Sequence, residues 1–251
     1  MYEFGQGSTA DRFLIRKPPD LFDKYVELTP RLDGATIVEL GIAAGGSTAL
    51  MSLLARPRAL IACELATTRV AALDELIAAR GLGDIVRPFY GVDQGDGDGL
   101  AALVERELPG QALDLVIDDA SHRYAETRTS FDVLFPRLRP GGLFLIEDWA
   151  ADYAYARQIA VTLSDPTSPA AVALEQRLAQ AAAEHPGGPR PLPQIGVELL
   201  HVVGAGSDVV AGLEIDRHWI AVERGPAHLD PAAFRLDDHV GDVWGWLSPH
   251  P

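Results

Sequence analysis

Five short apolar runs punctuate the first 150 residues: "ATIVEL" (35–40), "ALIACE" (59–64), "DIVRPFY" (84–90), "LDLVIDD" (113–119) and "GLFLIED" (142–148). Each ends on a polar residue or Gly, and helical patterns lie between them. Runs this short and continuously apolar are strands buried on both faces. Their alternation with helices demands a mostly parallel sheet covered on both sides, an α/β fold. The clearest helix is "TTRVAALDELIAARG" (67–81), where Thr67 or Thr68 can cap the start. Val70, Leu73, Leu76 and Ile77 form its apolar stripe, and Gly81 can close it. A second helix is expected from about Ser121 to Leu138, stopped by "PGG".

Beyond Trp149 the pattern changes. "DYAYARQIAVTL" and "AAVALEQRLAQAAAE" read as two helices around a turn at "SDPTSP". The stretch "HPGGPRPLPQ" then reads as a flexible loop or lid, not a domain boundary. Two late strands are expected around "VELLHVV" and "WIAVERG", giving seven strands with an antiparallel last strand. Residues 1–251 are expected to form one domain, with a helical and loop insertion at about 150–195. Trp244 and Trp246 of the tail read as packing residues.

At 251 residues, 47% apolar and 23% charged, the chain can bury a full core. Its net charge of -15 argues against a nucleic-acid partner and against docking on anionic membranes. The single cysteine, Cys63, reads as a small apolar strand residue and fits a reducing compartment. With no basic, apolar leader and no membrane-length apolar run, the expectation is a cytoplasmic protein.

"VELGIAAGGSTAL" (38–50) is a strand, a glycine turn and a helix start. Its glycines allow close backbone approach, and the helix start presents free N–H groups above the strand end, where such sheets bind ligands. The spacing is not the dinucleotide G-x-G-x-x-G. E-x-G-x-x-x-G-G-S instead resembles motif I of class I S-adenosylmethionine (SAM) methyltransferases. That resemblance implies SAM lying against Glu39, Gly41 and Ser47. It also implies that Glu64, ending the second strand, holds the ribose hydroxyls. Asp93 follows the third strand, where the adenine end would lie. Glu64 could equally be a charge favouring a helix start, and "DQGDGDG" (93–99) a solvated acidic turn.

A methyltransferase-like sheet has the strand order 3-2-1-4-5-7-6. Strands four and five are then neighbours, about 4.8 Å apart. Asp118/Asp119 and Glu147/Asp148, which end them, converge on one rim. Carboxylates packed so closely raise one another's pKa, and a divalent cation relieves this. Oxygen ligation favours magnesium, manganese or calcium. Neighbouring strand residues face opposite ways, so not all four can bind. Asp119, Glu147 and Asp148 are the expected ligands; Asp118 is left to face the cofactor or a backbone N–H. His122, expected on the first turn of the next helix, can take the acceptor hydroxyl's proton. Ser121 and His122 could instead cap that helix, and Arg123, Arg128 or Arg137 could pair with the acids.

"IDDASH…FDVLFPRLRPGGLFLIEDW" (117–149) is similar to a block of the metal-dependent sugar O-methyltransferases of macrolide and related pathways, the mycinamicin and macrocin family. With motif I, the likeness spans roughly residues 36 to 149. It implies metal ligation by Asp119, Glu147 and Asp148, His122 as base, and a glycosylated small molecule as acceptor. It also leaves room for a homo-oligomer. Ala120 stands where the family usually has glycine. Beyond residue 150 no motif matches, although Trp149, Tyr153 and Tyr155 are placed to line an acceptor site.

A catechol-type methyltransferase often uses a lysine base after the fourth strand, and this chain has no lysine beyond Lys24. "HLD" (228–230) is half of a non-haem iron triad, without the jelly-roll pattern such a hydroxylase needs. No G-x-S-x-G elbow is present for a serine hydrolase. A SAM-binding domain without chemistry is the non-enzymatic alternative.

Overall fold

The computed structural model describes residues 7–9, 11–184 and 190–241. Seven strands form one sheet in the order 3-2-1-4-5-7-6. They are β1 (Thr36–Leu40), β2 (Ala59–Glu64), β3 (Val86–Tyr90), β4 (Leu113–Asp118), β5 (Leu138–Glu147), β6 (Val210–Ile215) and β7 (Trp219–Arg224). β1 to β5 run parallel, and β7 runs antiparallel to both β5 and β6. The register levels the carboxyl ends: Leu40 pairs with Asp118, and Asp118 with Ile146. Gly41, Asp119 and Glu147 therefore leave the sheet at one height.

Side-chain alternation splits the core in two. Val38, Val116, Phe144 and Ile146 face one side, where Phe131 and Phe135 stack at 4.5 Å. Ile37, Leu115, Ile117 and Leu145 face the other, against Leu21, Tyr25 and Met51. Burying each large side chain contributes about 1.5–3 kcal/mol, which the seamless apolar strands make possible on both faces.

The helices are α1 (Pro19–Leu28), α2 (Gly46–Leu54), α3 (Ala71–Arg80), α4 (Gly97–Glu107), α5 (Tyr124–Leu134), α6 (Ala151–Leu163), α7 (Pro169–Glu184) and α8 (Gln194–Gly204). Gly81 closes α3 in the left-handed conformation as expected. Its start differs: the cap is Val70, whose N–H takes the Tyr90 hydroxyl as acceptor, and neither Thr67 nor Thr68 caps it. α5 is shorter than its pattern suggests. It ends at Leu134, and "PGG" lies inside β5, where a register shift against β4 absorbs the extra residues.

"VELLHVV" is helix, not strand. Ile195, Leu199 and Val202 repeat at helical spacing and bury one face of α8, a period hidden in a window of seven residues. The sixth strand is instead "VAGLEI". Trp244, Trp246 and residues 185–189 of the Pro/Gly stretch lie outside the described residues. No described helix is long and apolar enough to cross a membrane.

Candidate active site

The glycine turn is built by backbone contacts. Gly41 has φ +98°, and a Cβ there would stand 2.1 Å from the Asp119 carbonyl oxygen. The Asp119 N–H donates to the Leu40 carbonyl at 2.9 Å, so the ends of β1 and β4 touch. Only glycine fits that gap. The Ile42 and Ala43 N–H groups donate to Glu64 Oε2 at 3.1 and 2.8 Å, and Ala66 N–H to Oε1 at 3.0 Å. Glu64 thus ties the turn to the end of β2. The N-terminal segment lies over the start of α2: a Cβ on Gly46 would meet the Leu14 carbonyl oxygen at 2.2 Å. Ser8 fastens that segment, donating to Ala44 O at 2.6 Å and accepting from Leu14 N–H at 3.1 Å.

Above the turn opens a cavity of about 610 Å³ walled by Gly41, Glu64, Asp93, Gln94, Asp119 and Ser121, among others. Ser47 borders a smaller cleft on the other side of the turn, with Leu14, Lys17 and Asp119. Two expected cofactor contacts are absent from these walls. Glu39 is fully buried beneath α2, where it accepts the Thr48 hydroxyl at 2.6 Å and burial pushes its pKa up. It sits one residue short of the strand end. Asp118 is the last β4 residue and also turns inward. It accepts from Gln94 Nε2 and, at 2.8 Å, from the Ser130 hydroxyl. Burial lifts its pKa to about 6 against the pull of those donors. Asp118 acts from below, fixing Gln94, whose own oxygen accepts Ser121 N–H at 3.2 Å.

The rim acids divide. One ligand atom each from Asp119, His122 and Asp148 lie within 4.8 Å of one another. His122 Nε2 is 3.9 Å from Asp119 Oδ1 and 3.9 Å from Asp148 Oδ2. His122 is on the loop before α5, not on the helix, and Ser121 Oγ accepts Arg123 N–H at 3.2 Å. Four described non-glycine residues have positive φ, and Ala43, His122 and Asp148 are three of them. Such backbone is held only where its surroundings impose it, and here it aims side chains at one spot. The β6–β7 turn supports Asp148: its N–H donates to His218 O at 3.1 Å, and Trp149 Nε1 to Asp216 O at 2.6 Å.

Glu147, expected beside Asp148 as a ligand, faces the other way. Both its oxygens lie 2.6 Å from Lys17 Nζ, and the Tyr25 hydroxyl donates to Oε1. Lys17 reaches Asp119 Oδ2 as well, at 3.0 Å. Burial would lower the lysine pKa, but the Glu147 and Asp119 charges outweigh it and hold the ammonium charged well above its usual range. Burial and the Asp119 charge push Glu147 up, to about 7, while Lys17 and Tyr25 pull it back. The arginines considered for these acids go elsewhere. Arg123 pairs with Glu126, Arg128 with Asp132 and Asp237, and Arg137 bonds the Val133 carbonyl.

Residues 38–149 match the family described as a methyltransferase domain. Over 67 residues the chain is 52% identical to the mycinamicin VI 2''-O-methyltransferase of Micromonospora griseorubida, covering 26% of this chain and 16% of that protein. Over 60 residues it is 52% identical to the demethylmacrocin O-methyltransferase of Streptomyces fradiae, covering 24% and 14%. The fold is also that of MycE, a methyltransferase of the mycinamycin biosynthetic pathway solved in complex with Mg and SAH. The TM-score is 0.52 at 23% identity, over 90% of this chain and 52% of that one. The chain thus spans a minor share of these curated relatives and about half of MycE.

The structure places Gly41, Glu64 and Asp93 on the cavity and brings Asp119, His122 and Asp148 together. It sinks Glu39 and Asp118 and withdraws Glu147. Sequence reasoning missed Lys17, Tyr25 and Gln94. Lys17 carried a signal, being one of only two lysines in the chain, but it lies before the first strand. The "HLD" stretch joins no metal-ligating group among the described residues.

Proposed function

We propose that the chain is a SAM- and magnesium-dependent O-methyltransferase acting on a sugar hydroxyl of a glycosylated natural product. The observation that carries this reading is the gathering of Asp119, His122 and Asp148 on the rim of the cavity walled by Gly41 and Glu64. The names of the curated relatives, sugar O-methyltransferases of antibiotic producers, support the acceptor class.

The donor set fits a hard divalent ion. Two carboxylate oxygens at a half-open rim are what magnesium commonly takes, with waters and substrate oxygens completing its shell. Asp119 and Asp148 would hold it; a bound magnesium lowers the pKa of an adjacent hydroxyl. SAM brings a methyl group on cationic sulfur. Glu64 keeps acceptor capacity beyond its backbone donors, since a carboxylate offers about four lone-pair sites. The three backbone donors leave one of those sites to receive a ribose hydroxyl, with Asp93 toward the adenine end.

His122 Nε2 takes the acceptor proton as the oxygen bonds to the methyl carbon. When bound, SAM would supply the methyl group, its sulfur keeping the electron pair of the carbon–sulfur bond. Lys17 cannot substitute as base, because two carboxylates hold it as ammonium. That favours His122 as the base over a lysine of the catechol type, even though a lysine lies at the site. The α6–α7 pair is assigned to the acceptor side, where Tyr153 and Tyr155 are each 59% exposed.

The test is methyl transfer from labelled SAM to glycosylated polyketides with magnesium or with EDTA, alongside calorimetry of SAM binding. Transfer that depends on the ion supports the reading. Transfer undiminished by EDTA, or SAM binding with no transfer to any hydroxyl acceptor, overturns it.

A further inference from the structure

Lys17 does not behave as a bystander to the acid rim. Its side chain is 4% exposed, and Glu147, its closest partner, is 2% exposed. A buried charge persists only where partners are fixed around it. Here Glu147 offers both oxygens to Lys17, and one of them also receives the Tyr25 hydroxyl. Asp119 is shared: Oδ2 goes to Lys17 at 3.0 Å, while Oδ1 looks toward His122 and Asp148. The rim therefore has two places for positive charge, with Asp119 between them.

The backbone holds Lys17 in place. It is followed by Pro18 and by Pro19 at the start of α1. The segment before it is pinned over the glycine turn by Ser8 and by the Leu14–Gly46 contact. Tyr25, two turns into α1, completes the clamp on Glu147.

We propose that Lys17 is a positioning residue that withholds Glu147 from the divalent ion, leaving Asp119 and Asp148 as its carboxylate ligands. This rests on the ion assigned under the proposed function and goes further, dividing three acids between an internal ammonium and an external metal. The consequence is an ion held by few protein charges, with more of its shell open to substrate oxygen. A third carboxylate would tighten the ion and take a coordination position from the acceptor.

The experiment titrates manganese, as a magnesium substitute, into the full chain by calorimetry without SAM or acceptor, so that no turnover is read. Asp148→Asn weakens binding at least about tenfold, as loss of a charge at the ion does. Glu147→Gln, which keeps an acceptor for Lys17, leaves the affinity within about threefold. Lys17→Met releases Glu147 and tightens binding, and Lys17→Met/Glu147→Gln returns it to the parent value. If Lys17→Met does not fold, the Glu147→Gln result decides alone. Weakening by Glu147→Gln as large as by Asp148→Asn overturns the proposal but leaves the metal-dependent function standing. A parent chain and Lys17→Met that both bind no ion overturn the two together.

A second readout needs no variant. The chain has two lysines, Lys17 and Lys24. Reductive methylation followed by peptide mass spectrometry should modify Lys24 and leave Lys17 protected, with or without magnesium. Exposure of Lys17 only when magnesium is added means that the ion displaces it from Glu147, and the proposal fails.

Discussion

The β1–β2 end of the carboxyl rim and the β4–β5 end meet at Asp119, yet they are held by different means. Around Gly41 and Glu64 the contacts are backbone to backbone, or backbone N–H to one carboxylate, made by residues near strand ends. Around Glu147 they are side chain to side chain, and the partners come from 130 and 122 residues away. The first arrangement is set by the backbone register of neighbouring strands and tolerates few substitutions. The second is set by packing, can be re-paired, and decides which acids remain available for chemistry.

The sharpest way to break this contrast is at His122. His122→Asn suits the left-handed backbone there, φ +54°. It should cut turnover by about 10² to 10⁴, or roughly 3–5.5 kcal/mol in the barrier, with SAM affinity unchanged. Full activity in that variant would remove the base from the site. Gly41→Ala should cost on the order of 3 kcal/mol or more of unfolding free energy, combining a forbidden φ with a backbone clash. Urea denaturation measures it, and a near-neutral result would mean that β1 and β4 do not touch as described.

On the side-chain half, Tyr25→Phe removes the hydroxyl from a fully buried carboxylate. A loss of about 1–3 kcal/mol is expected in the same assay. No loss would show the clamp on Glu147 to be dispensable. Glu64→Gln should weaken binding of S-adenosylhomocysteine by about tenfold, roughly 1.4 kcal/mol, read by calorimetry. Unchanged affinity would move the ribose contact elsewhere.

The smallest effect is a pH slope. The Asp118 pKa is raised to about 6 from 3.8, so the folded chain favours its protonated form. That contribution to stability is complete below about pH 4 and is lost as pH rises through about 6. Melting temperatures of the parent and Asp118→Asn, taken from pH 4 to 7 without added metal, should differ most in their slope across this window. Parallel curves would mean that Asp118 titrates normally.

Legibility followed the same divide. The strand positions could be read because continuous apolar runs admit few alternatives once they alternate with helices, while the sheet order was implied by the resemblance to methyltransferases. The exception, α8 in place of a strand, came from a run too short to display its period. At the site, Gly41, Glu64, Asp119, His122 and Asp148 were visible because each terminates an apolar run or follows one closely. Glu39 and Asp118 were visible for the same reason. Which way each one faced was not.

The sequence alone determined the first five strands, the glycine turn and the acids that end apolar runs, since all three follow from hydrophobic period and from where each period stops; the strand order that brings those acids to one rim was implied by the family resemblance. The tertiary structure decided how those acids are divided. Side-chain direction at a strand end depends on what is packed on each face. Lys17 and Tyr25, which lie before the first strand, reach Glu147 only when the N-terminal segment and α1 close over the sheet.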